Sequence, residues 1–168
     1  MTTAAPRLVL LCGLPGAGKT TLALQLERDM QALRLCPDEW LAHLGFDLWD
    51  DSARDRVEAL QWHLAQQALR LGTNVILENG FWTCAEREER RLAAQALGAR
   101  VELRALIVPL DELWQRIERR NAQWAQVTAP ITRAHLDQWA EYFEAPDATE
   151  LRLYDAPLAG AHAEGHPA

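Results

Sequence analysis

Short continuous apolar runs alternate along this chain with longer stretches in which apolar residues recur every three or four positions. Residues 7–12 (R-L-V-L-L-C) form the first run and read as a buried strand. Residues 33–36, 74–78 and 100–108 repeat the pattern and predict three further strands. Residues 151–153 (L-R-L) predict a short fifth. Between the runs the spacing turns helical. Apolar positions after Thr21 predict a helix to about Ala32, and Pro37 followed by two acids starts a short one. Asp50, Asp51 and Ser52 can cap a long helix to about Leu71, with a stripe of Val57, Leu60, Leu64, Ala68 and Leu71. Thr83-Cys84-Ala85-Glu86 matches a capping box and opens a helix to about Leu97. Pro109-Leu110-Asp111 starts an arginine-rich helix to about Asn121, residues 122–131 read as a loop, and Thr132 caps a helix reaching about Phe143. Strands alternating with helices place the chain in the α/β class, with a parallel sheet covered by helices on both faces.

The length, 168 residues, suits one domain with a full core, over residues 1–154. The remainder, 155–168, is rich in Ala, Gly, His and Pro and reads as a disordered tail. A net charge of −7 argues against a long nucleic acid as main partner, since such binding leans on a basic surface. Three cysteines are too few and wrongly spaced for a metal site or a disulfide framework. Cys12 and Cys36 lie in strand contexts as buried free thiols, which fits a reducing, cytoplasmic setting. No signal peptide or membrane span is visible.

The most specific chemistry follows the first strand. Gly13-Leu14-Pro15-Gly16-Ala17-Gly18-Lys19-Thr20 fits G-x-x-x-x-G-K-[ST] at every fixed position, between a strand and a helix as that motif requires. The glycines let backbone N–H groups turn toward a phosphate chain, and the helix N-terminus adds partial positive charge. The candidate nucleotide-binding residues are Gly13, Pro15, Gly16, Ala17, Gly18, Lys19, Thr20 and Thr21. Lys19 reaches for the β- and γ-phosphates, and the Thr20 hydroxyl is a Mg²⁺ ligand. Lys19 is also the only lysine in the chain, among many arginines. A compact ammonium is not interchangeable with a flat guanidinium in a tight phosphate cradle. A guanine-specific N-K-x-D segment cannot exist here, because no second lysine is available.

With those residues in view the chain resembles the P-loop kinase superfamily. It is closest to small kinases of the zeta-toxin, chloramphenicol-phosphotransferase and polynucleotide-kinase type. G-L-P-G-A-G-K-T-T-L-A, L-C-P-D-E-W, V-I-L-E-N-G-F-W, R-I-E-R-R-N and F-E-A-P-D-A-T-E carry the likeness, over roughly residues 7–153. The resemblance implies a five-stranded parallel sheet of order 2-3-1-4-5 and ATP with Mg²⁺ as cofactors. It implies a lid at about 112–131. It also implies three roles: Asp38 as base for the acceptor hydroxyl, Glu78 beside the metal, and lid arginines among Arg116, Arg119 and Arg120 at the transferring phosphate. Polynucleotide kinases carry an arginine three residues after the catalytic aspartate, where this chain has Leu41. That departure favours a small-molecule hydroxyl acceptor over a nucleic-acid 5′ end, with a non-transferring regulatory ATPase as the other rival.

Each role has a plainer counterpart. Asp38 can be a helix N-cap. Glu78 can be a solvated strand-end acid. Arg116, Arg119 and Arg120 share helical spacing and can form a solvated face paired with Glu112 and Glu118. Trp62 and Trp139 sit in amphipathic helices and read as core. Trp40, Trp49 and Trp82 flank Asp38 and Glu78 and are candidates for an acceptor pocket. The five histidines form no cluster in sequence and receive no role.

Overall fold

The structure is a computed structural model that describes residues 4–124 and 130–158. The strands β1 (Arg7–Cys12), β2 (Leu33–Leu35), β3 (Val75–Gly80) and β4 (Arg100–Ala105) alternate with helices. These are α1 (Lys19–Met30), α2 (Pro37–Leu44), α3 (Asp51–Arg70), α4 (Cys84–Ala96), α5 (Leu110–Trp124), α6 (Arg133–Tyr142) and the single turn α7 (Ala148–Leu151). The strands form one parallel sheet in the order β2-β3-β1-β4.

β1 is buried along its whole length because both faces are covered. The period of two sorts its side chains. Leu8, Leu10 and Cys12 join Val75, Leu77, Val101 and Leu103 against Ala65 and Leu69 of α3 and Ala94 of α4. Val9 and Leu11 join Ile76 on the other face, against Ala23, Leu26 and Met30 of α1. Each fully buried leucine or valine contributes about 1.5–3 kcal/mol, so the central strand is a large share of the core's hydrophobic free energy.

The described residues form four strands, not the expected five. Residues 151–153 are the end of a helical turn capped by the Asp147 carboxylate, which accepts from the Glu150 N–H at 2.7 Å. A strong N-cap outweighs the weak strand signal of three residues. The free edge of β4 is instead met by Asp155. Its N–H donates to the Val101 carbonyl at 2.8 Å, and its carboxylate accepts from the Val101 N–H at 2.7 Å. A side chain thus replaces half of what a fifth strand would supply.

The long helix α3 also differs. Its buried face is Ala53, Val57, Gln61, Ala65 and Leu69, while Leu60 and Leu71 are 50% and 85% exposed. Small alanines, rather than the leucines, let the helix approach the sheet closely. The Thr83 capping box forms as expected, with Glu86 bonding back to the Thr83 N–H. The arginine-rich helix runs on to Trp124, past its expected end at Asn121. The central part of the expected lid, residues 125–129, lies outside the described residues, as does 159–168 of the expected tail.

Candidate active site at the carboxyl edge of the sheet

Parallel strands end at one edge of the sheet, so the residues that follow them are brought together there whatever their separation in sequence. β1 runs into the glycine loop, β2 into Asp38, and β3 carries Glu78 near its end.

The loop is tied to the sheet by the Gly13 N–H, which donates to the Gly80 carbonyl at 3.0 Å. Gly16 has φ 84° and lies against α5; a Cβ there would stand 3.1 Å from Ile117 Cγ1 and 3.3 Å from the Leu113 carbonyl oxygen. A side chain there would have to move α5 away from the loop. Gly18, with φ 97°, precedes α1, so the first turn of that helix opens directly from the loop. Its free N–H groups and positive dipole end therefore face the loop's concavity.

Lys19 Nζ donates to the Gly13 and Leu14 carbonyls at 2.8 and 3.0 Å. Its pKa is pushed down to about 8, chiefly by burial; the negative charges of Asp38 and Glu78 work against that shift, and Arg120 adds to it. An ammonium held this way is short of negative charge.

Thr20 and Glu78, 58 residues apart, meet directly: Thr20 Oγ1 donates to Glu78 Oε2 at 3.0 Å. The other carboxylate oxygen, Oε1, accepts from Arg34 Nη1 at 2.5 Å. Glu78 is thus a buried ion-paired acid and not a solvated strand end; its side chain is 1% exposed. Arg34 is itself gripped by both oxygens of Glu39, at 2.7 and 2.8 Å. A magnesium ion fits this donor set. It takes hard oxygen ligands and keeps several waters, so a threonine hydroxyl and one free face of a carboxylate suffice beside a phosphate. Among the described residues no group of three or more His, Cys, Asp or Glu is placed to hold a metal by itself.

Asp38 is not the N-cap of α2. Cys36 holds that place without a side-chain bond, and Asp38 sits within the first turn. Its Oδ1 accepts from Arg54 Nη2 at 2.7 Å, and that same nitrogen donates to the Leu48 carbonyl at 3.2 Å. Arg54 therefore pins the α2–α3 connection beside Asp38.

The three arginines of α5 separate. Arg116 Nη1 donates to the Gly16 carbonyl at 3.3 Å, while Nη2 pairs with Glu112 at 2.5 Å. Arg120 is close enough to lower the pKa of Lys19. Arg119 Nε bonds the Gln115 carbonyl of its own helix at 3.3 Å, and no bond joins it to the loop.

The tryptophans sort partly as expected: Trp62 and Trp139 both pack on apolar clusters. Trp62 packs on the core, with Arg90 over its ring at 4.7 Å. Trp40 bridges two apolar clusters. Trp139 packs on the cluster of Leu113 and Ile117 and also joins Trp49 and Trp82 in an aromatic row, with ring centroids 5.9 and 5.8 Å from Trp139. His135 joins the same row. Arg34, Arg54 and His135 went unnoticed in the sequence. Their partners lie on other elements, and no local spacing marks them. Beside the loop, an apolar cleft of about 220 Å³ is lined by Leu14, Leu106, Val108, Leu113 and Phe143.

The family profile described as "AAA domain" (AAA_33) matches residues 8–146, so the chain belongs to that family. No curated protein matches the sequence. Among solved structures, a candidate kinase from Chloroflexus aurantiacus is 23% identical, with a TM-score of 0.69, covering 93% of this chain and 85% of its own. A gluconokinase from Sinorhizobium meliloti 1021 is 16% identical, with a TM-score of 0.60, covering 86% and 78%. A chain of the Pnkp1/Rnl/Hen1 RNA repair complex is 20% identical, with a TM-score of 0.68 over 88% of this chain. This protein spans only 44% of that chain. The fold is that of the P-loop kinases. No described helix is long and apolar enough to cross a membrane.

Proposed function

We propose that the protein is an ATP-dependent phosphotransferase that moves the γ-phosphate to a hydroxyl of a small-molecule acceptor. One observation carries this reading: Thr20 bonds Glu78 beside the glycine loop, Arg116 bonds the loop's Gly16 carbonyl, and Lys19 feels the charges of Asp38, Glu78 and Arg120. A structural turn has no use for two acids, a half-buried lysine and two arginines around it.

In this reading the loop N–H groups and Lys19 hold the phosphates, and Gly13, Pro15, Gly16, Ala17, Gly18 and Thr21 shape the cradle. The apolar cleft beside Leu14 takes the flat faces of the base. Thr20 and Glu78 would hold Mg²⁺, which would supply neutralisation of phosphate charge when bound. Asp38 accepts the proton of the acceptor hydroxyl as that oxygen bonds to the γ-phosphorus. The bond from the γ-phosphorus to the bridging oxygen breaks, and ADP leaves with both bonding electrons. Arg116 and Arg120 stabilise the charge spread over the transferring oxygens. Arg119 lies on the same helix and reaches a nucleotide phosphate only if it releases the Gln115 carbonyl. A cytoplasmic setting follows from the same reading, since ATP and three free thiols belong there.

The test is Asp38→Asn. It keeps size and shape and removes basicity. ATP affinity is expected to persist while transfer falls by about 10²–10⁴, the contribution of a positioned base. Normal transfer in the variant removes Asp38 from the chemistry. ATP turnover that no acceptor accelerates favours a regulatory ATPase instead.

A further inference from the structure

The rings of Trp49, His135, Trp139 and Trp82 form a continuous row across three parts of the chain that are far apart in sequence. Trp49 and His135 stand 4.8 Å apart at 49°. His135 and Trp139 are 5.8 Å apart at 23°, and Trp49 and Trp139 are 5.9 Å apart at 27°. Trp82 meets Trp139 at 5.8 Å. The His135–Trp139 and Trp49–Trp139 pairs are stacked, while Trp49–His135 and Trp82–Trp139 are tilted, at 49° and 47°.

The row is built at some conformational cost. Gly80 and Phe81 are consecutive left-handed residues, with φ 88° and 44°. A phenylalanine in that region is strained and persists only where its surroundings hold it. Here Arg87 Nη1 grips the Phe81 carbonyl at 2.9 Å. The reversal delivers Trp82 to the edge of the sheet, and the Glu144 N–H, just beyond α6, donates to the Trp82 carbonyl at 2.8 Å. At the other end Arg54 links Leu48, the neighbour of Trp49, to Asp38. Through Arg54 the chain segment that carries Trp49 is tied to the proposed base, so one end of the row lies on the α2–α3 connection that Asp38 holds.

It is not a finished core. Trp82 and Trp139 pack on the cluster around Leu113 and Ile117, but Trp49 belongs to no apolar cluster and is 39% exposed. His135 is half-buried and locked by the capping box of α6: its Nδ1 accepts from the Thr132 N–H at 3.2 Å. That bond places the neutral ring's proton on Nε2, for which the described residues supply no acceptor.

We infer that this row is an acceptor subsite for a flat aromatic or heteroaromatic ring, so that the hydroxyl phosphorylated is one carried on such a ring. The inference rests on the phosphotransferase reading. A planar ring stacks on Trp49 with the His135 Nε2–H as donor to a ring heteroatom or substituent, while Asp38 meets the hydroxyl. A sugar acid or polyol has no face to stack and would leave the tryptophan ring wet.

The test keeps the nucleotide site filled with ADP–Mg²⁺ and titrates two panels by tryptophan fluorescence. Pyridoxine, 4-hydroxybenzyl alcohol and uridine are the ring alcohols; gluconate, glycerol and sorbitol are the ring-free ones. The ring panel is expected to bind at least about tenfold more tightly. Trp49→Leu should weaken it by about tenfold or more, and Trp49→Phe should restore most of it, because stacking is lost only in the first. Equal binding of both panels, no binding of the ring panel, or an unchanged Leu variant overturns the inference. Transfer from ATP is measured on the same panels. Ring alcohols that bind without being phosphorylated would refute the phosphotransferase reading and leave the subsite standing. Phosphorylation of gluconate or glycerol alone would do the reverse.

Discussion

Thr20 Oγ1 and Glu78 Oε2 are joined by a hydrogen bond of 3.0 Å that ties the first turn of α1 to β3. The hydroxyl comes from the first turn of α1 and the carboxylate from the buried end of β3. The pair sets two oxygens side by side next to the glycine loop, and Arg34 binds the second carboxylate oxygen.

Glu78→Gln keeps an acceptor for Thr20 and removes the charge. Affinity for ATP–Mg²⁺ is expected to fall by about tenfold or more, while affinity for metal-free ATP changes little, since a metal-bound carboxylate acts through its charge. Isothermal titration with and without Mg²⁺ gives the ratio. Equal losses under both conditions would assign Glu78 to holding Arg34 alone.

Lys19 makes nucleotide affinity pH-dependent. Its pKa in the empty protein is about 8, so its charge is lost as the pH climbs through that value. Bound phosphates favour the charged form, so binding above pH 8 should take up a proton. Affinity should fall about tenfold per pH unit there. The stability effect has the opposite sense. The native pKa lies below the unfolded value, so Lys19 opposes folding most strongly below pH 8, and stability rises with pH from about 8 toward the ordinary lysine range. Titrations at pH 7.5 and 9 in buffers of different ionisation enthalpy measure the proton directly. No proton uptake would mean that Lys19 does not meet the phosphates.

Arg87 is fully buried and its Nε and Nη2 donate to the two Glu150 oxygens at 2.6 and 2.8 Å. Glu150→Ala strands that guanidinium and should cost about 3–5 kcal/mol in chemical denaturation. The variant should also loosen the Phe81 carbonyl and the aromatic row it supports. A loss below about 1 kcal/mol would show that water takes over the carboxylate's place.

The thiols divide by burial. Burial pushes Cys12 and Cys36 up to about 11, and Cys84 lies exposed at the start of α4. Native alkylation at pH 8, read by mass, should modify Cys84 alone, with the other two reacting only on unfolding. Rapid labelling of Cys12 would show that the centre of the sheet opens.

The phosphate loop was legible in the sequence because its chemistry is local. Eight consecutive residues fix the backbone turn, the lysine and the hydroxyl, and strand and helix patterns on either side settle where the loop sits. The alternation of runs and stripes likewise settled a parallel sheet, and capping residues such as Thr83 and Thr132 marked helix starts. Residues 151–153 misled because three apolar positions carry little strand preference against the Asp147 cap. The stripe of α3 misled because the helix buries its alanines. Only the tertiary structure decided what meets what. Asp38 with Arg54, Glu78 with Arg34, and His135 with Trp49 are partners from different elements, 16, 44 and 86 residues apart. No sequence spacing encodes such pairs. They follow from strand order, from the common edge at which parallel strands end, and from where the packed helices set their side chains down.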